Sequence, residues 1–190
     1  QKEEKVAKNS LTDTFYAFKT EINNDRFKGV PIYARAGKKL QQTVTEISIV
    51  FKIPTNRLFR HLEKGEEPNV LIYRIQPHEG IVLKMVTKKP GHTLELEPNY
   101  MQYCYRQDPN LHLMPDPYEK LLVDAISGNQ TFFCDAEEVE AQWAFIDSLD
   151  SVRDKPIIYK PGTWGPKGAD KLIEADGRFW LEPSMQFCAL

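Results

Sequence analysis

The chain has 190 residues, 41% hydrophobic and 11% aromatic, a composition that supports a packed core and excludes a disordered or low-complexity protein. Its 25 Lys and Arg stand against 27 Asp and Glu, a formal net charge of −2, without the basic surplus that a nucleic-acid binder carries. No apolar run reaches bilayer length, and from the polar stretch Gln1, Lys2, Glu3, Glu4, Lys5 no secretory signal is expected.

One domain spanning 1–190 is expected, with residues 1–10 as a charged, flexible lead-in. From Ser10 to Ile22 the run is rich in Thr, Phe and Tyr, which favours a strand. Asn23 to Arg26 breaks it, and Val30 to Ala36 forms the next, with Pro31 at its start or on an edge because proline cannot donate to a ladder. Thr45 to Ile53 alternates: Ile47, Ile49, Phe51 and Ile53 share one face, while Glu46, Ser48 and Lys52 share the other. Val70–Gln76 and Ile81–Lys88 are predicted to pair as a hairpin across the turn Pro77–Gly80, and a weaker strand follows over Met101–Tyr105.

The period then changes. Pro117 stands where a first helical residue would, Tyr118, Leu121, Leu122, Ala125 and Ile126 make one stripe, and Gly128 closes it. Asp135 with Glu138 resembles a capping box ahead of Val139, Trp143, Ile146 and Leu149. Both stripes read as core. A third, short helix is expected over Ala169–Glu174. Strands first and helices afterwards predict an α+β fold, a large and mostly antiparallel sheet with helices packed on one face.

The three cysteines, Cys104, Cys134 and Cys188, show no CxxC and no zinc-ligand spacing with histidine, so free buried thiols in a reducing compartment are expected. Only two residues follow Cys188, too few for a prenylation signal. No phosphate-cradling glycine motif and no nucleophile elbow occurs. His61, His78, His92 and His112 lie in or beside loops, and none is assigned a catalytic role. Arg35, Gly37, Lys38 and Lys39 place cations beside a glycine at a strand end, either an anion site or a solvated turn. Arg74, Gln76 and Lys84 likewise could recognise an anion or form the outer side of a sheet. Trp164, inside Pro161–Pro166, reads as a loop anchor.

In order along the chain stand Thr12 to Ala17, Gly29-Val30-Pro31 and Arg35-Ala36-Gly37-Lys38-Lys39-Leu40. Then come Arg74-Ile75-Gln76-Pro77-His78-Glu79-Gly80, Pro117 to Ala125, Gly162-Thr163-Trp164-Gly165-Pro166 and Ala169-Asp170. Together these segments closely resemble the C-terminal part of the glucose-6-phosphate dehydrogenase family, over about Ser10 to Trp180. The resemblance implies oxidation of glucose 6-phosphate to 6-phosphogluconolactone with NADP, in the pentose phosphate pathway, by a cytoplasmic protein. It also implies a homodimer formed through the sheet, without metal, membrane or nucleic-acid partner. The Rossmann domain and the catalytic histidine precede the matched region in that family, so NADP is expected on a missing N-terminal domain. No catalytic or cofactor-binding residue is assigned here, and the fragment alone is expected to be inactive.

The resemblance further implies substrate-binding roles for Lys38, which would hold the phosphate, and for Gln76. Where the family usually carries a second basic residue this chain has Thr43, a departure that weakens that contact; Lys39 is the neighbouring cation. Arg35, Arg74 and Lys84 match part of the structural-NADP site of some members, but Val44, Ser48 and Trp164 replace its other charges. No structural NADP is therefore expected. A competing reading is a non-catalytic association module that dimerises and binds no ligand.

Overall fold

The computed structural model describes residues 5–7, 9–53, 67–109, 116–150, 156–183 and 187–188. The lead-in over 1–10 lies partly outside these residues, and His61 and His112 lie outside them altogether. The chain folds as two compact units, one from Gln1–Thr14 and His112–Ile158, the other from Phe15–Leu111 and Tyr159–Leu190.

The second unit carries every strand described. β1 (Phe15–Glu21) pairs antiparallel with β2 (Pro31–Gly37), and the proline opens β2 as its missing donor requires. β3 (Thr45–Val50), β4 (Val70–Gln76), β5 (Gly80–Lys88) and β6 (Leu96–Cys104) form an antiparallel meander in the order β3-β4-β5-β6. The α+β, antiparallel expectation holds, with the strands divided between a two-stranded and a four-stranded sheet. β4 has the expected bounds, and His78 at φ 62 makes the tight return to β5. β6 starts earlier than expected: Pro98 and Asn99 mask it in sequence, yet the strand is an end strand of the sheet, where a proline is tolerated.

The alternation in β3 is real, but its polar face is the covered one. Ile47 is 57% exposed, whereas Glu46 on the opposite face is drawn in by Arg74. Register carries the open face across the sheet: Ile47, Tyr73, Ile81 and Tyr103 align in one row, and Ile49, Leu71, Leu83 and Met101 in the next. The other face holds Val70, Val82, Arg74 and Cys104, all buried.

Cys104 and Cys188 are joined in a disulfide, with Cα atoms 5.3 Å apart, and Cys134 is exposed. This overturns the reading of three free, buried thiols. Spacing gave no hint, because the partners are 84 residues apart and meet only through the register that sets Cys104 opposite Gly80. A Cβ at Gly80 would stand 2.7 Å from the Cys188 sulfur, so glycine is what lets the tail close on β6.

α3 (Lys167–Glu174) buries Ala169 and Ile173 and lies against β1. Its far end is stapled to the two-stranded sheet, where Asp176 accepts from the Tyr33 hydroxyl and pairs with Lys19 Nζ at 2.7 Å. The hydrogen bond from Lys19, then that from Tyr33, hold the Asp176 carboxyl below its usual range.

The first unit carries α1 (Pro117–Ser127) and α2 (Ala136–Asp150). Asp116 caps α1 through Tyr118 N at 2.9 Å, and Gly128 at φ 70 ends it, as its sequence requires. Asp135 caps α2 through Glu138 N at 2.8 Å. Within this unit Asp124 is buried and accepts from Asn129 Nδ2 at 3.0 Å. The stripes expected as core are instead largely open: Ile126 is 87% exposed and Trp143 61%. Helical period identifies an apolar stripe but not its partner.

Candidate functional site

Lys38 follows the last residue of β2, and the loop it opens is pinned residue by residue to the segment Tyr159–Thr163. The Tyr159 hydroxyl donates to the Lys38 carbonyl at 2.6 Å. Gly162 N donates to the Lys39 carbonyl at 2.9 Å, and Gln41 N to the Thr163 carbonyl at 3.1 Å. Leu40 and Thr163 form a parallel bridge. Lys39 takes φ 52 and Gly162 φ 76, left-handed conformations that the turn requires. Above this fixed backbone the Lys38 side chain is exposed and enters no ion pair among the described residues.

Gln76 ends β4 directly opposite Thr45, the first residue of β3. Its Nε2 donates to Thr45 Oγ1 at 3.3 Å, which fixes the carboxamide and leaves its oxygen as an acceptor for a hydroxyl. Thr43 is exposed, two residues before Thr45 in the same connection that Lys38 opens. Lys38 and Thr43 thus share one segment, and Gln76 meets the far end of that segment through Thr45. A lysine supplies a compact charge for a phosphate dianion, and an amide oxygen and a hydroxyl suit sugar hydroxyls. Lys38 thus offers an exposed cation and Gln76 an amide oxygen, groups whose chemistry suits an anion and a hydroxyl.

Arg35, Arg74 and Lys84, which the resemblance sets at a second nucleotide site, each have partners within the chain. The Arg35 guanidinium lies between two indoles, 4.9 Å from the Trp164 ring centre and 4.5 Å from that of Trp180. Burial lowers its pKa from the usual guanidinium value. Trp180 is itself fixed, its Nε1 donating to the Ala169 carbonyl at 3.0 Å. Arg74 is buried against Glu46, with Nη2 2.9 Å and Nε 3.0 Å from the same carboxylate oxygen. Lys84 pairs with Glu67. A dinucleotide bound there would have to displace these partners.

Two of these features were beyond sequence reasoning. Tyr159 and Thr45 show no local motif of their own; their roles come from backbone that returns to the Lys38 loop and to Gln76 in space. Trp164, read as an anchor, does anchor the loop, by stacking on Arg35.

Residues 1–181 match the family model described as glucose-6-phosphate dehydrogenase, C-terminal domain. The chain is 42% identical over 180 residues to the glucose-6-phosphate 1-dehydrogenase of Buchnera aphidicola subsp. Schizaphis graminum, covering 91% of this chain and 36% of that protein. It is 39% identical over 183 residues to that of Bacillus subtilis, covering 94% of this chain and 37% of the relative. Among solved structures, a glucose-6-phosphate dehydrogenase in complex with its substrate glucose-6-phosphate superposes with a TM-score of 0.82 at 31% identity, over 94% of this chain and 37% of that one. The chain therefore spans little more than a third of the length of the relatives it matches. With the family model running across nearly all of it, the chain belongs to the glucose-6-phosphate dehydrogenase C-terminal domain family.

Proposed function

We propose that this chain is the substrate-holding and dimer-forming part of a glucose-6-phosphate dehydrogenase, which oxidises glucose 6-phosphate to 6-phosphogluconolactone with NADP in the pentose phosphate pathway. Lys38 grips the C6 phosphate, Gln76 takes a sugar hydroxyl, and Thr43 adds at most a neutral hydrogen bond. The observation that carries this reading is the exposed Lys38 ammonium standing on a backbone pinned at every step from Lys38 to Gln41. NADP, the hydride acceptor, and the proton acceptor belong to the part of the relatives that this chain does not span. No structural NADP is held, since Arg35, Arg74 and Lys84 are already partnered.

The family model's run across both units supports treating the whole chain as one C-terminal domain. A second copy is the proposed cover for the open apolar sheet face, because a patch of aligned Ile, Leu, Tyr and Met rows is a liability in water. No helix among the described residues is long and apolar enough to cross a membrane, and no group of three or more potential metal ligands occurs among them. Cytoplasmic residence belongs to the proposal; there the Cys104–Cys188 bond meets a thiol pool that reduces disulfides.

The test is Lys38→Ala in the full-length parent enzyme. Loss of one charge-assisted hydrogen bond is expected to raise KM for glucose 6-phosphate by about 10- to 150-fold, with KM for NADP unchanged. An unaltered KM for the sugar phosphate would remove Lys38 from the site. The 190 residues by themselves are expected to form no NADPH from glucose 6-phosphate, and measurable turnover by that polypeptide would place the redox machinery within it.

A further inference from the structure

We propose that Tyr159 is a positioning residue for substrate binding: its hydroxyl fixes the peptide that carries Lys38 and so sets where the ammonium stands. This rests on the reading of Lys38 as the phosphate ligand and adds the residue that aims it. The two residues are 121 positions apart, and the Tyr159 oxygen lies 2.6 Å from the Lys38 carbonyl oxygen. Lys39, Leu40 and Gln41 are held to Gly162 and Thr163 through backbone groups that most side chains would leave intact. The Lys38 carbonyl, by contrast, accepts from a side chain, so the identity of residue 159 bears on its orientation.

The tyrosine is itself aimed. It is half-buried, and its ring packs against Phe15 of β1 with centroids 5.5 Å apart. Phe15 in turn fills the space over Gly165, where a Cβ would stand 2.4 Å from its ring. A rigid strand residue thus supports the ring, the ring holds the hydroxyl, and the hydroxyl holds the lysine peptide. A lysine stem has several rotatable bonds, so fixing its backbone narrows the volume the ammonium samples and reduces the entropy lost on gripping a phosphate. Chemistry at C1 is remote from this contact, so the effect falls on sugar-phosphate affinity.

Tyr159→Phe keeps the ring against Phe15 and removes only the hydroxyl. In the full-length enzyme it is expected to raise KM for glucose 6-phosphate about 3- to 10-fold, the range of one neutral hydrogen bond, leaving KM for NADP unchanged and kcat within about two-fold. In a Lys38→Ala background the same change should have no further effect on KM. A KM unchanged by Tyr159→Phe, while Lys38→Ala raises it, overturns the positioning role and leaves the phosphate role standing. An equal rise with and without Lys38 shows that the hydroxyl acts on another group, and also overturns it. If Lys38→Ala itself leaves KM unchanged, the underlying reading fails first.

Discussion

Replacing Arg74 by methionine is expected to lower the thermal midpoint by about 10 °C, the consequence of losing about 3–5 kcal/mol. Arg74 and Glu46 face each other directly across β3 and β4, and their side chains retain 2% and 11% of their exposure. In that environment both charges are largely withdrawn from water, and each stabilises the other. Methionine fills much of the arginine stem's volume but leaves the Glu46 carboxylate buried without its cation. The double change Arg74→Met with Glu46→Leu should recover most of the loss, since an apolar pair removes both desolvation penalties. Differential scanning calorimetry of the single and double variants separates this from a packing defect: a double variant as unstable as the single would show that shape, not charge, dominates. The pair also lies two residues from Gln76 and one from Thr45, beside the register shift between Thr45 and Glu46. It therefore fixes the strand ends from which the proposed sugar contacts project.

Reduction of the Cys104–Cys188 bond is expected to cost about 4 kcal/mol, because the bond closes a loop of 84 residues and removes much freedom from the unfolded chain. The midpoint of urea unfolding should fall on adding dithiothreitol, and Cys188→Ser should start at the lowered value and ignore the reductant. A wild-type midpoint indifferent to reductant would mean that the buried sulfur contacts with Gly80 and β6, rather than the covalent link, hold the tail. Phe187 against Tyr100, with ring centres 5.2 Å apart, is a further non-covalent contact that would remain.

Much of the strand and helix plan was legible along the chain. The bounds of β4, the proline start of α1 and its glycine stop, and the aspartate cap of α2 all follow from local rules that act within a few residues. β6 was only partly legible, because Pro98 and Asn99 are poor strand formers that the sheet's end position tolerates. The candidate site divides the same way. Lys38 and Gln76 stand in short motifs, whereas Tyr159 is joined to Lys38 across 121 positions and carries no mark of its own.

What the sequence determined by itself was periodicity, caps and turn chemistry, since each depends on neighbours a few residues away. It also carried the family resemblance, through motifs in fixed order. Tertiary structure alone decided which face of β3 is covered, because a period-two pattern names two faces without saying which one meets Arg74. It alone paired Cys104 with Cys188, and it alone set Arg35 between Trp164 and Trp180. Those contacts join residues far apart in sequence, and their free energy exists only once the sheets have brought them within bonding distance.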